Sequence, residues 1–127
     1  MLKFKYDNLE EEFDASEERL QCIVYSLSGY IEHQFEKDLI ITSIYRDQEG
    51  SVHKYWRGVD FRIAPKSGTS IYTDEEIRMI KKYMSRFMYS EVKKHLNTLR
   101  VHDAGSGLHG HIQVNGYDNT IIRETNA

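Results

Sequence analysis

The segment GVDFRI, residues 58–63, alternates strictly between apolar and polar side chains. Val59, Phe61 and Ile63 fall on one face and Asp60 and Arg62 on the other, the two-residue period of a strand with one face buried and one in water. HGHIQV, residues 109–114, repeats the pattern, with Gly110, Ile112 and Val114 set against His109, His111 and Gln113. Two such strands call for a sheet whose apolar face is covered and whose polar face is open, which is how antiparallel sheets are commonly used. The cover is legible too. Leu20, Ile23, Val24, Leu27 and Ile31 recur at the spacing of one apolar stripe on a helix of roughly five turns. Asp14 with Glu17 reads as its capping start, with Ser16 as a rival cap. Cys22 on this helix reads as a buried or half-buried residue rather than a reactive thiol.

Other elements follow the same logic. LIITSIYR, Leu39 to Arg46, is a β-branched run that predicts a central strand. Asp47, Gln48, Glu49 and Gly50 have loop chemistry, and Pro65, the single proline, ends the strand that starts near Gly58. Thr73 and Glu76 form a second capping box. Ile77, Ile80, Met84, Phe87 and Met88 then make a helical stripe, continued through Val92 and Leu96 unless Ser90 opens a separate short helix. Leu99 to Asp103 predicts a strand, AGSGL a glycine-rich connection, and His109 to Val114 the returning strand. Residues 1–13 are a charged arm or an edge strand, and Ile121 and Ile122 could add a short last strand. Helix, strands, helix and hairpin in that order predict an α+β fold: a small, mostly antiparallel sheet with flanking helices.

Composition narrows the function classes. At 127 residues the chain has room for one domain, taken as 1–127. A net charge of -3 and a pI near 6.1 give no electrostatic footprint for nucleic acid. One cysteine excludes a disulfide framework and a cysteine-rich zinc site. No apolar run reaches the roughly 18–20 residues of a membrane span. The opening MLKFKYDNLEEEFD has neither the apolar core nor the cleavage site of a signal peptide, so the chain is expected to be made in the cytoplasm without export by that route.

The chemistry concentrates in the histidines. Of the six, His33 and His95 lie in polar helical surroundings and read as surface residues. Asp60 and His111 each sit on the polar face of a strand whose other face is apolar. If those strands are neighbours, both side chains project from one side of the sheet, and His53, in the loop before Asp60, can fold over the same spot. Two imidazoles and one carboxylate are the ligand count of a catalytic zinc site with a fourth position open. By softness the set also admits manganese, iron or nickel. The bland alternative is a packed histidine and an aspartate paired with Arg57 or Arg62.

At these residues a resemblance enters. TSIYRDQEGSVHKYWRGVDFRI is similar to the signature of the zinc D-Ala-D-Ala carboxypeptidases and the phage L-Ala-D-Glu peptidases: a T-S-x-Y-R strand end, then S-x-H, then G-x-A-x-D or a close variant. Ser51, His53 and Asp60 match in identity and in the seven-residue step from histidine to aspartate, and Arg46 matches the arginine of the strand end. HGHIQV resembles the family's closing H-x-H, with His111 aligned to the third zinc ligand and Gln113 following as in many members. Murein endopeptidases and the hedgehog signalling domain share that zinc architecture.

The resemblance implies a hedgehog/D-Ala-D-Ala-peptidase-like fold and a zinc metallopeptidase of bacterial peptidoglycan peptides, acting as a phage-type lysis or virion protein or as a cytoplasmic peptide trimmer. It implies zinc on His53, Asp60 and His111, Arg46 for the oxyanion or a substrate carboxylate, and Ser51 for substrate binding or support of the site. Many relatives carry an acid three residues before the last zinc histidine; Leu108 stands there. The catalytic base then falls to His109, with Asp103 across the hairpin as runner-up. Trp56 replaces a glycine of many relatives and could narrow the cleft, act as an aromatic platform or simply pack. Ser51, His102 and Gln113 are the candidates to orient the ligands. The alternative function is a non-catalytic relative that keeps the metal as a virion or partner-binding module.

Overall fold

The computed structural model describes residues 1–47, 49–103, 105 and 107–122. Five strands, β1 (Leu2–Phe4), β2 (Leu39–Ser43), β3 (Gly58–Pro65), β4 (Leu99–Asp103) and β5 (Gly107–Gln113), form one open sheet in the order β1-β2-β3-β5-β4. The pairings of β2 with β3, β3 with β5 and β4 with β5 are antiparallel, whereas β1 runs parallel to β2. Three helices, α1 (Asn8–Ala15), α2 (Glu18–Phe35) and α3 (Asp74–Met84), complete a mixed-sheet α+β fold. A 3-10 turn, Val52–Tyr55, precedes β3.

The core forms where the two periodicities meet. Leu20, Ile23, Val24, Leu27 and Ile31 of α2 are buried in one cluster with Leu39 and Ile41 of β2, Val59, Phe61 and Ile63 of β3 and Ile112 of β5. Each fully buried aliphatic side chain of this kind contributes roughly 1.5–3 kcal/mol. The polar residues of β3 and β5 are thereby left on the opposite face. No helix among the described residues is long and apolar enough to cross a membrane.

Several local expectations need correction. The predicted start at Asp14 lies inside α1, whose Leu9 and Phe13, one turn apart, are both buried. Ser16 caps the end of α1 by donating to the Phe13 carbonyl, and Glu17 is the N-cap of α2. Cys22 is exposed, because it lies off the apolar stripe of α2. The Thr73 capping box is present in full, but α3 stops at Met84. Phe87 and Met88 lie beyond it, Val92 and Leu96 are exposed, and Ser90 starts no helix. Its hydroxyl instead accepts from the backbone N–H of Val92 and Lys93 and donates to Asp118, a side-chain competition that turns the chain. The arm at residues 1–13 is an edge strand followed by α1. β5 opens at Gly107, two residues earlier than expected, with Ala104 and Ser106 of the glycine-rich connection, and Gln48 of the earlier loop, outside the described residues. Ile121 and Ile122 add no strand, and residues 123–127 lie outside the described residues.

Two glycines are required by contact. Gly107 has a φ of 112°, and a Cβ there would strike the Ala64 carbonyl. Gly110 lies opposite Phe61 in the register, and a Cβ would land on the Phe61 ring. Gly110→Val is therefore expected to lower stability by about 1–3 kcal/mol through overpacking. Urea unfolding checks this; an unchanged midpoint would mean that the ring moves freely aside.

Candidate functional site

The site is assembled where the sheet is irregular. Ile41 pairs with Phe61 but Ser43 pairs with Asp60, so β2 carries a bulge between these positions. The bulge changes which residues face the core: Ile41 and then Ile44 are buried, with Thr42 and Ser43 half-buried between them. Bulges of this kind re-aim a strand end. Here the carbonyl of Ile44 receives the His53 Nδ1 hydrogen at 2.6 Å. A carbonyl can only accept, so Nδ1 carries a proton, and Nε2 is the nitrogen whose lone pair can be offered when the ring has no second proton. The Ser51 hydroxyl accepts from the His53 backbone N–H at 3.2 Å, tying down the start of the 3-10 turn.

The antiparallel register of β3 and β5 places Asp60 directly opposite His111. His111 Nδ1 is 2.8 Å from Asp60 Oδ1. Its Nε2 is 3.1 Å from Gln113 Oε1, and Gln113 Nε2 donates to the Asn97 carbonyl at 3.0 Å. The Asn97 carbonyl thus orients the amide, the amide oxygen accepts from His111 Nε2, and Nδ1 is the atom aimed at Asp60. His53 Nε2 comes within 3.5 Å of the same Oδ1 without making a hydrogen bond, and His53 is only 2% exposed. Arg46 donates to the other carboxylate oxygen, Asp60 Oδ2, at 2.9 Å. Burial pushes the Asp60 carboxyl up, but hydrogen bonding to His111 and His53, when their rings carry a proton toward it, outweighs burial and holds the group well below the usual carboxylate range.

One ligand atom each from His53, Asp60 and His111 lie within 4.8 Å of one another, a grouping that could hold a metal ion. Two hollows flank it. One, of about 350 Å³, is lined by Lys5, Arg62 and His109 among others; the second, of about 380 Å³, includes Ser51, Arg100 and Gln113. Both contain Arg46, Asp60 and His102. A larger cavity of about 460 Å³, between the end of α3 and β4, has no His, Asp or Glu among its described lining residues.

The structure brings together His53, Asp60, His111, Arg46, Ser51 and Gln113. His109 shares the polar face of β5 and enters the hollow beside Asp60 and Arg46. His102, opposite His109 in the register, lines both hollows without a hydrogen bond to the three central residues. Asp103 is a correction. It pairs with Leu108, whose side chain packs on the core, so Asp103 lies on the face opposite to His109 and His111. There it is exposed and accepts from the Gly105 N–H. Trp56 lines neither hollow; it packs against the core and stacks on Tyr45 at 4.5 Å. Its φ of 60° lies in the left-handed region, which costs a residue with a Cβ about 1–2 kcal/mol. Neither the Ile44 nor the Asn97 carbonyl was foreseen, because a backbone oxygen carries no mark in residue identity.

No family model, curated protein or solved structure matches the chain significantly.

The lowered Asp60 pKa has a definite sign in folding. The charged carboxylate favours the folded state above the unfolded carboxyl pKa of about 3.9, and that contribution is lost as the pH falls toward the lower folded value. In chelator, wild type is expected to gain stability relative to Asp60→Asn as the pH rises through the unfolded carboxyl pKa to about pH 5, with little further gain from this group above it. Urea unfolding of both proteins at each pH measures the difference; a pH-independent difference would contradict it.

Proposed function

We propose that the chain is a zinc-dependent peptidase that hydrolyses an amide bond in peptides of bacterial peptidoglycan, on a hedgehog/D-Ala-D-Ala-peptidase-like fold. The observation that carries this reading is the convergence of His53 Nε2, His111 Nδ1 and Asp60 Oδ1, with the buried His53 Nε2 left without a hydrogen bond. The Nδ1 to Oδ1 approach of 2.8 Å calls for a positive centre between the two atoms, either a proton or a cation. The separations of 2.8 and 3.5 Å also bracket the roughly 3.3 Å between ligands each about 2.0 Å from a tetrahedral zinc. The donor set therefore fits the ion. The T-S-x-Y-R, S-x-H and H-x-H resemblance supplies the reaction class.

When bound, zinc supplies Lewis acidity to an amide carbonyl and acidifies a water. The chain supplies the rest. The Ile44 and Gln113 oxygens fix each imidazole with its lone pair inward, as hydrogen-bonded partners of ligating histidines do. His109, on the strand face of His111, accepts a proton from the nucleophile and returns it to the leaving amine. Arg46 is 48% exposed at its side chain and spends one N–H on Asp60, leaving donors for a developing oxyanion or a substrate carboxylate. A phage-type lysis or virion protein is the setting that suits this activity.

One observation favours the second reading, a non-catalytic metal-binding module: Leu108 packs on the core, so no acid stands where many relatives carry one. Two predictions separate the readings. The purified protein should hold about one zinc per chain, lost on His53→Ala, by elemental analysis; a folded wild type that cannot be loaded would remove the site. With zinc bound, wild type should release peptide fragments from cell wall in a chelator-sensitive way. His109→Ala should keep the metal and lose roughly 100-fold or more in rate, with Arg46→Ala also retaining metal and losing rate. Zinc binding without hydrolysis of any wall peptide would support the module instead.

A further inference from the structure

The charge inventory of the cleft points to its substrate. The chain as a whole has more acids than bases, 20 against 17. Along the two hollows the balance reverses. Asp60 is the one carboxylate among their described lining residues, and Arg46, His53 and His111 already engage it. Lys5, Arg62 and Arg100 line the same hollows and form no ion pair with any described residue. Cations in a cleft that are unmatched from within the protein attract an anion from outside.

Their placement divides them into two groups. Arg62 is half-buried on the polar face of β3, two residues and so roughly 7 Å along the strand from Asp60. It pairs with His109 in the register and shares its hollow with Lys5. Arg100 lies across β5, opposite His111, and lines the other hollow. From the Asp60 and His111 pair, one cationic end lies along β3 and the other across the sheet on β4.

We infer that the cleft selects an acidic peptide with a carboxylate on each side of the amide to be cut, one received by Arg62 with Lys5 and the other by Arg100. This rests on the peptidase reading and adds the substrate class to it. An arginine fork suits a planar carboxylate, and Arg62, half-buried, loses less to solvent than an exposed cation would. The two cationic ends line different hollows, which meet at Arg46, Asp60 and His102, so each carboxylate meets its own cations.

Binding can be read without turnover. The probes are the dipeptide N-acetyl-glutamyl-glutamate amide and its three counterparts with glutamine at the first, second or both positions, titrated by NMR with and without zinc, alongside inorganic phosphate. Each carboxylate should tighten binding roughly tenfold, with the gain shrinking as salt is raised. Arg62→Gln and Arg62→Glu should each erase the preference at one position only, and Arg100→Glu that at the other. Equal affinity for all four dipeptides, or variants that weaken acidic and amide probes alike, would overturn the inference, as would phosphate binding as tightly as the diacid. Acidic selectivity without hydrolysis would count against the peptidase reading alone, and hydrolysis without acidic selectivity against this inference alone.

Discussion

Asp60 is the point on which the polar face is organised. One carboxylate, set on a strand whose alternate residues are core, meets two imidazoles through one oxygen and a guanidinium through the other. A half-buried charge is costly unless its hydrogen-bonding capacity is filled. Four chain segments meet that demand: the segment that follows β2 through Arg46, the 3-10 turn through His53, β5 through His111, and, behind His111, the backbone at Asn97 through Gln113. Neutralising Asp60 would therefore loosen the ordering of all four at once.

The regular and irregular parts of the fold have different tasks. Between β3 and β5 the ladder is regular at Asp60 and His111, which fixes their separation to within a side-chain rotation. His53 cannot be delivered that way, because it comes from a turn. It is held by local departures from regularity: the bulge that brings the Ile44 carbonyl to its ring, and the left-handed turn at Trp56 that redirects the chain into β3. The strain at Trp56 is offset by burial of its ring and by stacking on Tyr45. Such strain persists only where the surroundings over-determine the backbone, as they do in a turn fastened at both ends.

The two faces of the sheet also settle which neighbouring groups can take part in chemistry. Leu108 and Asp103 oppose one another in the hairpin and therefore share a face, the one on which Leu108 packs against the core. His109 and His102 oppose one another on the other face and line the cleft. A shift of one residue in this hairpin would exchange the pairs, placing an acid in the cleft and a histidine outside it.

Much was legible in the chain itself. Val59, Phe61 and Ile63 against Asp60 and Arg62, the Leu20 to Ile31 stripe and the Thr73 capping box are statements of period and local hydrogen bonding, and local physics decides them. That Asp60 and His111 would face the same way followed from strand alternation once the two strands were taken as neighbours. α1 was missed because two apolar residues in a charged segment are a weak periodic signal, and the end of α3 was misplaced because the apolar stripe runs on past Ser85, where the helix ends with the Ser85 hydroxyl donating to the Lys82 carbonyl. By itself, then, the sequence determined the principal strands and the long helix, their buried faces and the three residue types that could share an ion. Only the tertiary structure decided that β3 and β5 are neighbours in this register, that the Ile44 and Asn97 carbonyls orient the two imidazoles, and that Asp103 is turned away. Those outcomes depend on pairings between distant segments and on backbone atoms common to every residue, which no residue identity encodes.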